Sequence, residues 1–188
     1  EGYNTQDIYS GSYRDLVIES EFAALSIARL NLSGTLSGAG TLIITTSATG
    51  DNGRVVANKE GKFLSVSYGD GVLSGFFGGD YQNLSISGAG DKTISNDIVV
   101  HGDVFAMGSF RGQGNLEFMG RILGSATFGT GTAAYAGSVT YSGSSIAQTI
   151  YGGHYSSLIF SNDAKTINLA VTVDSLTTSS DFSVEDGA

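Results

Sequence analysis

The chain lacks cysteine, proline and tryptophan, and it has only two histidines and nine lysine or arginine residues. Without cysteine it can form neither a disulfide framework nor a thiolate metal site. Eighteen acidic residues give a net charge of −9, and the basic residues are scattered. Electrostatic attraction to nucleic acid or to anionic membranes is therefore absent, and we predict no nucleic-acid partner and no membrane insertion.

Long apolar runs are missing too. No stretch approaches the roughly 18 apolar residues of a membrane helix, and residues 1–6 lack the basic and apolar regions of a signal peptide. Glycine is abundant instead, with 28 residues, and 40% of the chain is hydrophobic. This composition is typical of short strands joined by tight turns.

One pattern occurs three times, as IYSGSYRDLVI (8–18), FFGGDYQNLSI (76–86) and IYGGHYSSLIF (150–160). An aromatic residue is followed by a tyrosine four positions later and by a leucine after three more, and a further tyrosine precedes each copy. We call these four residues the tyrosine box. Its members are Tyr3, Tyr9, Tyr13 and Leu16 in the first copy, Tyr68, Phe77, Tyr81 and Leu84 in the second, and Tyr141, Tyr151, Tyr155 and Leu158 in the third.

The boxes divide the chain into repeats. Their first aromatic residues stand at positions 9, 77 and 151, which are 68 and 74 residues apart, and the tripeptide KTI recurs at 92–94 and 165–167. We interpret residues 1–188 as one continuous array with units at about 3–67, 68–140 and 141–188, the last one partial. Because the ends fall inside repeats, we expect the chain to be a piece of a longer protein.

Alternation of apolar and polar residues predicts many short strands, such as DLVIES, NLSIS and AVTVDS. Three strands per coil would give roughly 18 to 25 residues per coil and about three coils per repeat. The segment 13–33 also fits an amphipathic helix, but we interpret it as strand. The predicted fold is all-β, a right-handed parallel β-helix (β-solenoid), and the alternative is a tandem of β-sandwiches.

The pattern V-x-Y-x-G…Q-x-I-x-G-G-x-Y-x-x-L-x-I-S-G-x-G-x-K-T-I resembles the long repeats of very large secreted surface proteins of Bacteroidetes. The resemblance covers most of the chain but departs at SEFAALSIA in the first repeat. It implies export, often by the type 9 system, and a role as a surface adhesin or fibre. By the same resemblance, Asp174-Ser175-Leu176 looks like a short O-glycosylation motif, but a strand edge is the favoured explanation of these three residues.

Residues for catalysis or metal binding are sparse. His101 and His154 have no neighbouring ligands at metal-site spacing, and no G-x-S-x-G motif is present. Since many solenoids cleave polysaccharides with paired carboxylates, the acids at turns need checking, although they stand singly. They are Asp51, Asp70, Asp80, Asp91, Asp97, Asp103 and Asp163.

We predict no enzymatic activity and no cofactor, with Ca²⁺ at TGDNGR (49–54) as a weaker alternative to a simple turn. The tyrosine boxes are predicted to pack inside the fold, and an aromatic platform for sugars is the alternative. The predicted function is a structural or adhesive segment of an extracellular bacterial stalk or filament. Its partners would be neighbouring repeats, copies of itself end to end, or surface glycans. A carbohydrate-active β-helix enzyme and a glycan-binding module are the alternatives.

Overall fold

A computed structural model describes residues 6–50, 52–59, 62–129, 131–144, 148–161, 165–167 and 169–178, without the side chains of residues 20–23, 58–59 and 62. In these residues the regular structure is β-strand, and the strands pair in parallel except at one short hairpin. The predicted β-solenoid is confirmed. The alternative of antiparallel sandwiches is excluded for the described residues, because the strands of interior coils pair in parallel with strands of the coils before and after them.

The strands are β1 (Gln6–Asp7), β2 (Gly11–Tyr13), β3 (Leu16–Leu32), β4 (Thr35–Thr49), β5 (Arg54–Val56), β6 (Asn58–Lys59), β7 (Lys62–Tyr68), β8 (Gly78–Tyr81), β9 (Leu84–Ile86), β10 (Asp91–Ile94), β11 (Ile98–Val100), β12 (Val104–Ala106), β13 (Ser109–Gly112), β14 (Leu116–Phe118), β15 (Ile122–Gly124), β16 (Thr127–Phe128), β17 (Tyr135–Tyr141), β18 (Gln148–Ile150), β19 (Gly152–Phe160), β20 (Lys165–Ile167) and β21 (Val171–Thr178). The described part of the chain contains no helix with the length and hydropathy needed to cross a bilayer.

One uninterrupted ladder of paired residues runs along the stack, and we call the sheet that it forms face 1. Successive rungs are 18 to 24 residues apart in the chain, which agrees with the predicted coil length. About eight turns at roughly 4.8 Å per step make a stack of about 38 Å. The rungs are Leu16, Leu36, Val55, Gly79, Ile98, Leu116, Val139, Leu158 and Leu176.

Two further faces complete each coil. Face 2 runs from Gln6 through Leu25, Leu42, Val66, Leu84 and Val104 to Ile122 and continues with the pair Gln148 and Lys165. Face 3 starts with Gly11, Leu30 and Ala48 and resumes with Lys92, Phe110, Phe128, Gly153 and Val171. Between these two parts of face 3, residues 69–77 cross without a regular strand.

The core fills the space between the three faces. Because successive strand residues point to opposite sides, alternate apolar residues face inward, and Leu36, Leu42 and Ile98 are almost completely buried. Close coil spacing demands glycine where a backbone bends. Gly112 has a φ of +130°, and a Cβ at this position would overlap the carbonyl oxygen of Ile94 on the coil before it.

The segment with the ambiguous pattern is extended throughout. Residues Leu16–Leu32 form β3, which bends across all three faces and pairs with β4 along most of its length. The strand interpretation of residues 13–33 is therefore confirmed for this part. Pairing between neighbouring coils decides the structure here, because it overrides a local helical periodicity.

The tyrosine boxes do not repeat after a whole number of coils. Leu16 and Leu158 lie on face 1, whereas Leu84 of the second box lies on face 2. The repeats therefore span between three and four coils, compared with the estimate of about three. Uneven coil lengths contribute to this shift, since the β6–β7 hairpin lies in a 24-residue step from Val55 to Gly79.

Candidate functional site

The tyrosine boxes are the most distinctive side chains of the chain, and two of them lie in its interior. Tyr68, Phe77 and Tyr81 of the second copy are fully buried, and Leu84 is nearly so. In the third copy, Tyr141 and Tyr155 are fully buried and Leu158 and Tyr151 are almost completely buried. These rings cannot offer their faces to a sugar while the coils are intact.

The third box is held by a chain of hydrogen bonds. The Tyr155 hydroxyl donates to the carbonyl oxygen of Tyr151 at 2.5 Å and lies 3.3 Å from the Tyr141 hydroxyl. The Tyr141 hydroxyl in turn accepts the backbone N–H of Tyr151 at 3.2 Å. The two tyrosines therefore fix both backbone groups of the residue that lies between them at the corner between faces 2 and 3.

The second box repeats this arrangement atom for atom. The Tyr81 hydroxyl donates to the Phe77 carbonyl oxygen at 2.5 Å and lies 3.0 Å from the Tyr68 hydroxyl. The backbone N–H of Phe77 donates to the Tyr68 hydroxyl at 3.1 Å. The network thus forms at the corner between faces 3 and 1 in the second box and at the corner between faces 2 and 3 in the third, so it belongs to the box and not to one corner of the coil.

Burial strongly suppresses ionisation of these hydroxyls. It raises the pKa of Tyr68 to about 12, and it raises the pKa values of Tyr81, Tyr141 and Tyr155 as well. Since the phenols stay protonated at neutral pH, they can donate the hydrogen bonds described above but cannot act as general bases.

The first box differs in its surroundings. The Tyr13 hydroxyl donates to the Tyr9 carbonyl oxygen at 2.7 Å, as in the other copies, but the Tyr9 side chain is 91% exposed. Tyr3 lies outside the described residues. The local hydrogen bond is therefore a property of the repeated sequence, whereas burial of the ring depends on an adjacent coil.

The acids that were candidates for paired catalysis are engaged with basic groups or with the backbone. Asp91 pairs with Arg111 at 2.8 Å, and Asp103 pairs with Arg121 Nη2 at 2.5 Å. Hydrogen bonding to Arg121 lowers the pKa of Asp103. Each partner stands 18 or 20 residues further along the chain, so these pairs join neighbouring coils.

Two other acids also contact groups on neighbouring coils. Asp97 accepts the backbone N–H of Asn115 at 2.7 Å, and Asp80 lies 3.5 Å from Arg54 and 3.9 Å from His101. Asp70 is exposed at a turn, while Asp51 and Asp163 lie outside the described residues. In the part of the chain that the structure describes, no group of three or more histidine, aspartate or glutamate residues could hold a metal ion.

His154 lies beside a shallow hollow of about 430 Å³ on face 3. Its Nε2 atom is 2.9 Å from Asp174 Oδ1 on the next coil, and Ser109, Thr127 and Thr172 line the same hollow. Ser175 follows Asp174 and is exposed on face 1, while Leu176 is 48% exposed. The Asp174-Ser175-Leu176 segment is thus accessible and extended, as both a strand edge and an O-glycosylation motif would be.

Two buried polar side chains were not foreseen as special. Gln148 is fully buried, and its Nε2 atom donates to the carbonyl oxygens of Phe118 and Gly120 at 2.8 Å each. Lys92 is also fully buried, but its Nζ atom has no hydrogen-bond partner. The recurrence of KTI was the signal for this lysine, although alternation alone would place an apolar residue there.

Comparisons of the chain with protein-family models, with curated proteins and with solved structures found no match. The repeated residues stabilise the stack from inside, and the described acids and histidines mostly join one coil to the next.

Proposed function

We propose that the chain is a rod-forming segment of an extracellular bacterial surface fibre or adhesin. One observation carries this proposal: the residues that are repeated most faithfully are buried in the second and third boxes. A repeated ligand site would keep its most constant side chains accessible. Repetition here maintains the stacking of coils, so lengthening the array adds length and stiffness to a rod.

The surface and the cross-coil contacts support the same role. Outward positions on face 1 carry polar residues such as Thr140, Ser157 and Ser175, interspersed with apolar ones such as Val99. Ion pairs such as Asp103 with Arg121 link adjacent coils. The resemblance of the tyrosine boxes to repeats of secreted Bacteroidetes surface proteins supports a location outside the cell. The proposed work is mechanical, and any adhesive contact would use the outer faces.

Immunogold electron microscopy of the cells that make the protein tests this function. An antibody against the 188-residue chain should decorate fibres or stalks that extend from the cell surface, and cells lacking the gene should not be labelled. Gold confined to the cell interior, or to compact particles, would contradict the proposal.

A further inference from the structure

A second hollow, of about 420 Å³, lies on the outer surface where face 3 turns towards face 1. Polar side chains of two successive coils and alanine side chains of the next coil line it. Further coils follow on both sides, so its exposure does not depend on the ends of the stack. Its volume falls within the roughly 300–1,000 Å³ of typical ligand sites.

One wall of this hollow comes from extra residues in a single coil. Phe110 and Phe128 occupy adjacent rungs on face 3, as Leu116 and Val139 do on face 1. The chain takes 6 residues from Phe110 to Leu116 but 11 from Phe128 to Val139, so the extra residues all stand at this corner. The side chains that they place along the hollow are small and apolar, namely Ala133, Ala134 and Ala136.

The opposite wall carries polar side chains that are not used to join coils. Asp97, on a nearby turn, accepts the backbone N–H of Asn115 on the next coil at 2.7 Å. In the described part of the chain, by contrast, the exposed side chains of Thr93, Ser95 and Gln113 form no hydrogen bond to another residue. Two hydroxyls and one amide are therefore available to a ligand.

Arg111 adds a charged donor whose charge is balanced. Its Nη2 atom lies 2.8 Å from Asp91 Oδ2, and both side chains are more than half exposed. The other N–H groups of the guanidinium stay available, and the carboxylate of Asp91 can accept further hydrogen bonds. Since this pair is neutral overall and the chain carries a net charge of −9, a ligand with a carboxylate gains little attraction.

From this we infer that the hollow binds a neutral N-acetylated sugar of a glycan. The ring hydroxyls both donate and accept hydrogen bonds, as the Arg111, Thr93 and Gln113 side chains together with Asp91 require. The methyl of the acetamido group matches the alanine wall, because contact between them removes apolar surface from water. The inference deepens the proposed function, since it rests on a location outside the cell and names what the surface fibre would contact there.

NMR spectroscopy of the full 188-residue chain tests the inference by titration with the methyl glycosides of N-acetylglucosamine and N-acetylgalactosamine. Because the hollow is open and shallow, we expect at least one of them to bind with a Kd of about 1–10 mM. The amide signals of Gly112, Gln113 and Ala134 should shift. A fibre with many such sites would turn weak single contacts into firm adhesion.

Two substitutions should weaken this binding by about 5-fold or more. Gln113→Ala removes a hydrogen-bonding group, and Ala133→Leu fills space along the apolar wall. Both residues are exposed, so urea unfolding of the variants should match that of the natural chain. An unchanged unfolding midpoint shows that lost binding does not come from lost folding.

A matched pair of substitutions locates the site. Thr93 and Thr127 both expose their hydroxyls on face 3, but Thr127 lines the hollow beside His154. Thr93→Val should therefore weaken binding, whereas Thr127→Val should leave it unchanged. Methyl glucoside, which lacks the acetamido group, should bind at least about 3-fold more weakly, and methyl glucuronide should gain nothing from its carboxylate.

Four outcomes would overturn the inference. They are unchanged spectra with both N-acetylated glycosides, binding that survives both Gln113→Ala and Ala133→Leu, loss of binding in Thr127→Val but not in Thr93→Val, and tightest binding of the glucuronide. A failure of the site is separable from a failure of the rod function. Fibres labelled on cells would uphold the rod even if the isolated chain bound neither sugar.

Discussion

Removing one buried hydroxyl tests whether the tyrosine box stabilises the stack. Tyr155→Phe keeps the ring and its packing but deletes the donor to the Tyr151 carbonyl oxygen and the partner of the Tyr141 hydroxyl. Leaving a buried polar group unsatisfied costs about 1–3 kcal/mol. For a chain of this size, a loss of about 2 kcal/mol lowers Tm by about 4–8 °C.

The first box provides the matched control. Tyr13→Phe deletes the same hydroxyl-to-carbonyl bond, here to Tyr9, but at a site where water can replace the lost donor. We expect this substitution to cost less than about 0.5 kcal/mol. Equilibrium urea unfolding of both variants measures the difference. Equal losses of unfolding free energy would refute the argument that burial makes the box hydroxyl stabilising.

Three further perturbations follow from the same structure. Lys92→Met should stabilise the fold by about 1–3 kcal/mol in urea unfolding, because it removes a buried ammonium that makes no hydrogen bond and whose burial outweighs the attraction of Asp70. A destabilised variant would show that the attraction to Asp70 outweighs the cost of burial. Gly112→Ala should cost about 3 kcal/mol or more through overlap with Ile94, whereas Gly131→Ala, which also has a positive φ but lies in open space, should cost about 1 kcal/mol. Similar thermal shifts for the two alanine variants would contradict this explanation. Raising the pH from 10 to 12 should lower the unfolding free energy, by up to about 1.4 kcal/mol per pH unit from Tyr68 alone. The reason is that Tyr68 keeps its proton up to about pH 12 in the folded state, whereas an unfolded tyrosine loses it near pH 10. An unfolding free energy that stays constant over this range would argue against burial of the phenol.

The parallel β-solenoid could be predicted from local features of the sequence. Glycine-rich turns, the absence of proline and the alternation in strands such as Leu116–Phe118 all favour stacked coils. The coil length was also predictable, because strand-like runs recur at short, regular intervals. Local patterns decide these features, and local patterns can be read from one chain.

Features that depend on neighbouring coils could not be predicted in this way. Tyr9 and Tyr151 occupy the same position in their boxes, yet one ring is exposed and the other is buried by residues 23 to 33 positions earlier in the chain. The sequence does not predict the inward position of Lys92 either, since a lysine in an alternating strand is expected to face solvent.

The hydrogen-bonded form of the tyrosine box lies between these two cases. Its spacing indicated a repeated structural role, but not the pairing of the Tyr68 and Tyr81 hydroxyls. That contact joins the end of a strand on face 2 to the end of a strand on face 1. It forms only when the intervening segment, residues 69–77, crosses face 3.

Fibre diffraction tests the central claim most directly. Fibres would be isolated from the surface of the producing cells, identified with the antibody and aligned before exposure to X-rays. A rod of stacked coils should give a reflection near 4.8 Å along the fibre axis, because the strands lie across the axis and are spaced along it. Fibres that contain the protein but lack this axial reflection would contradict a β-solenoid rod.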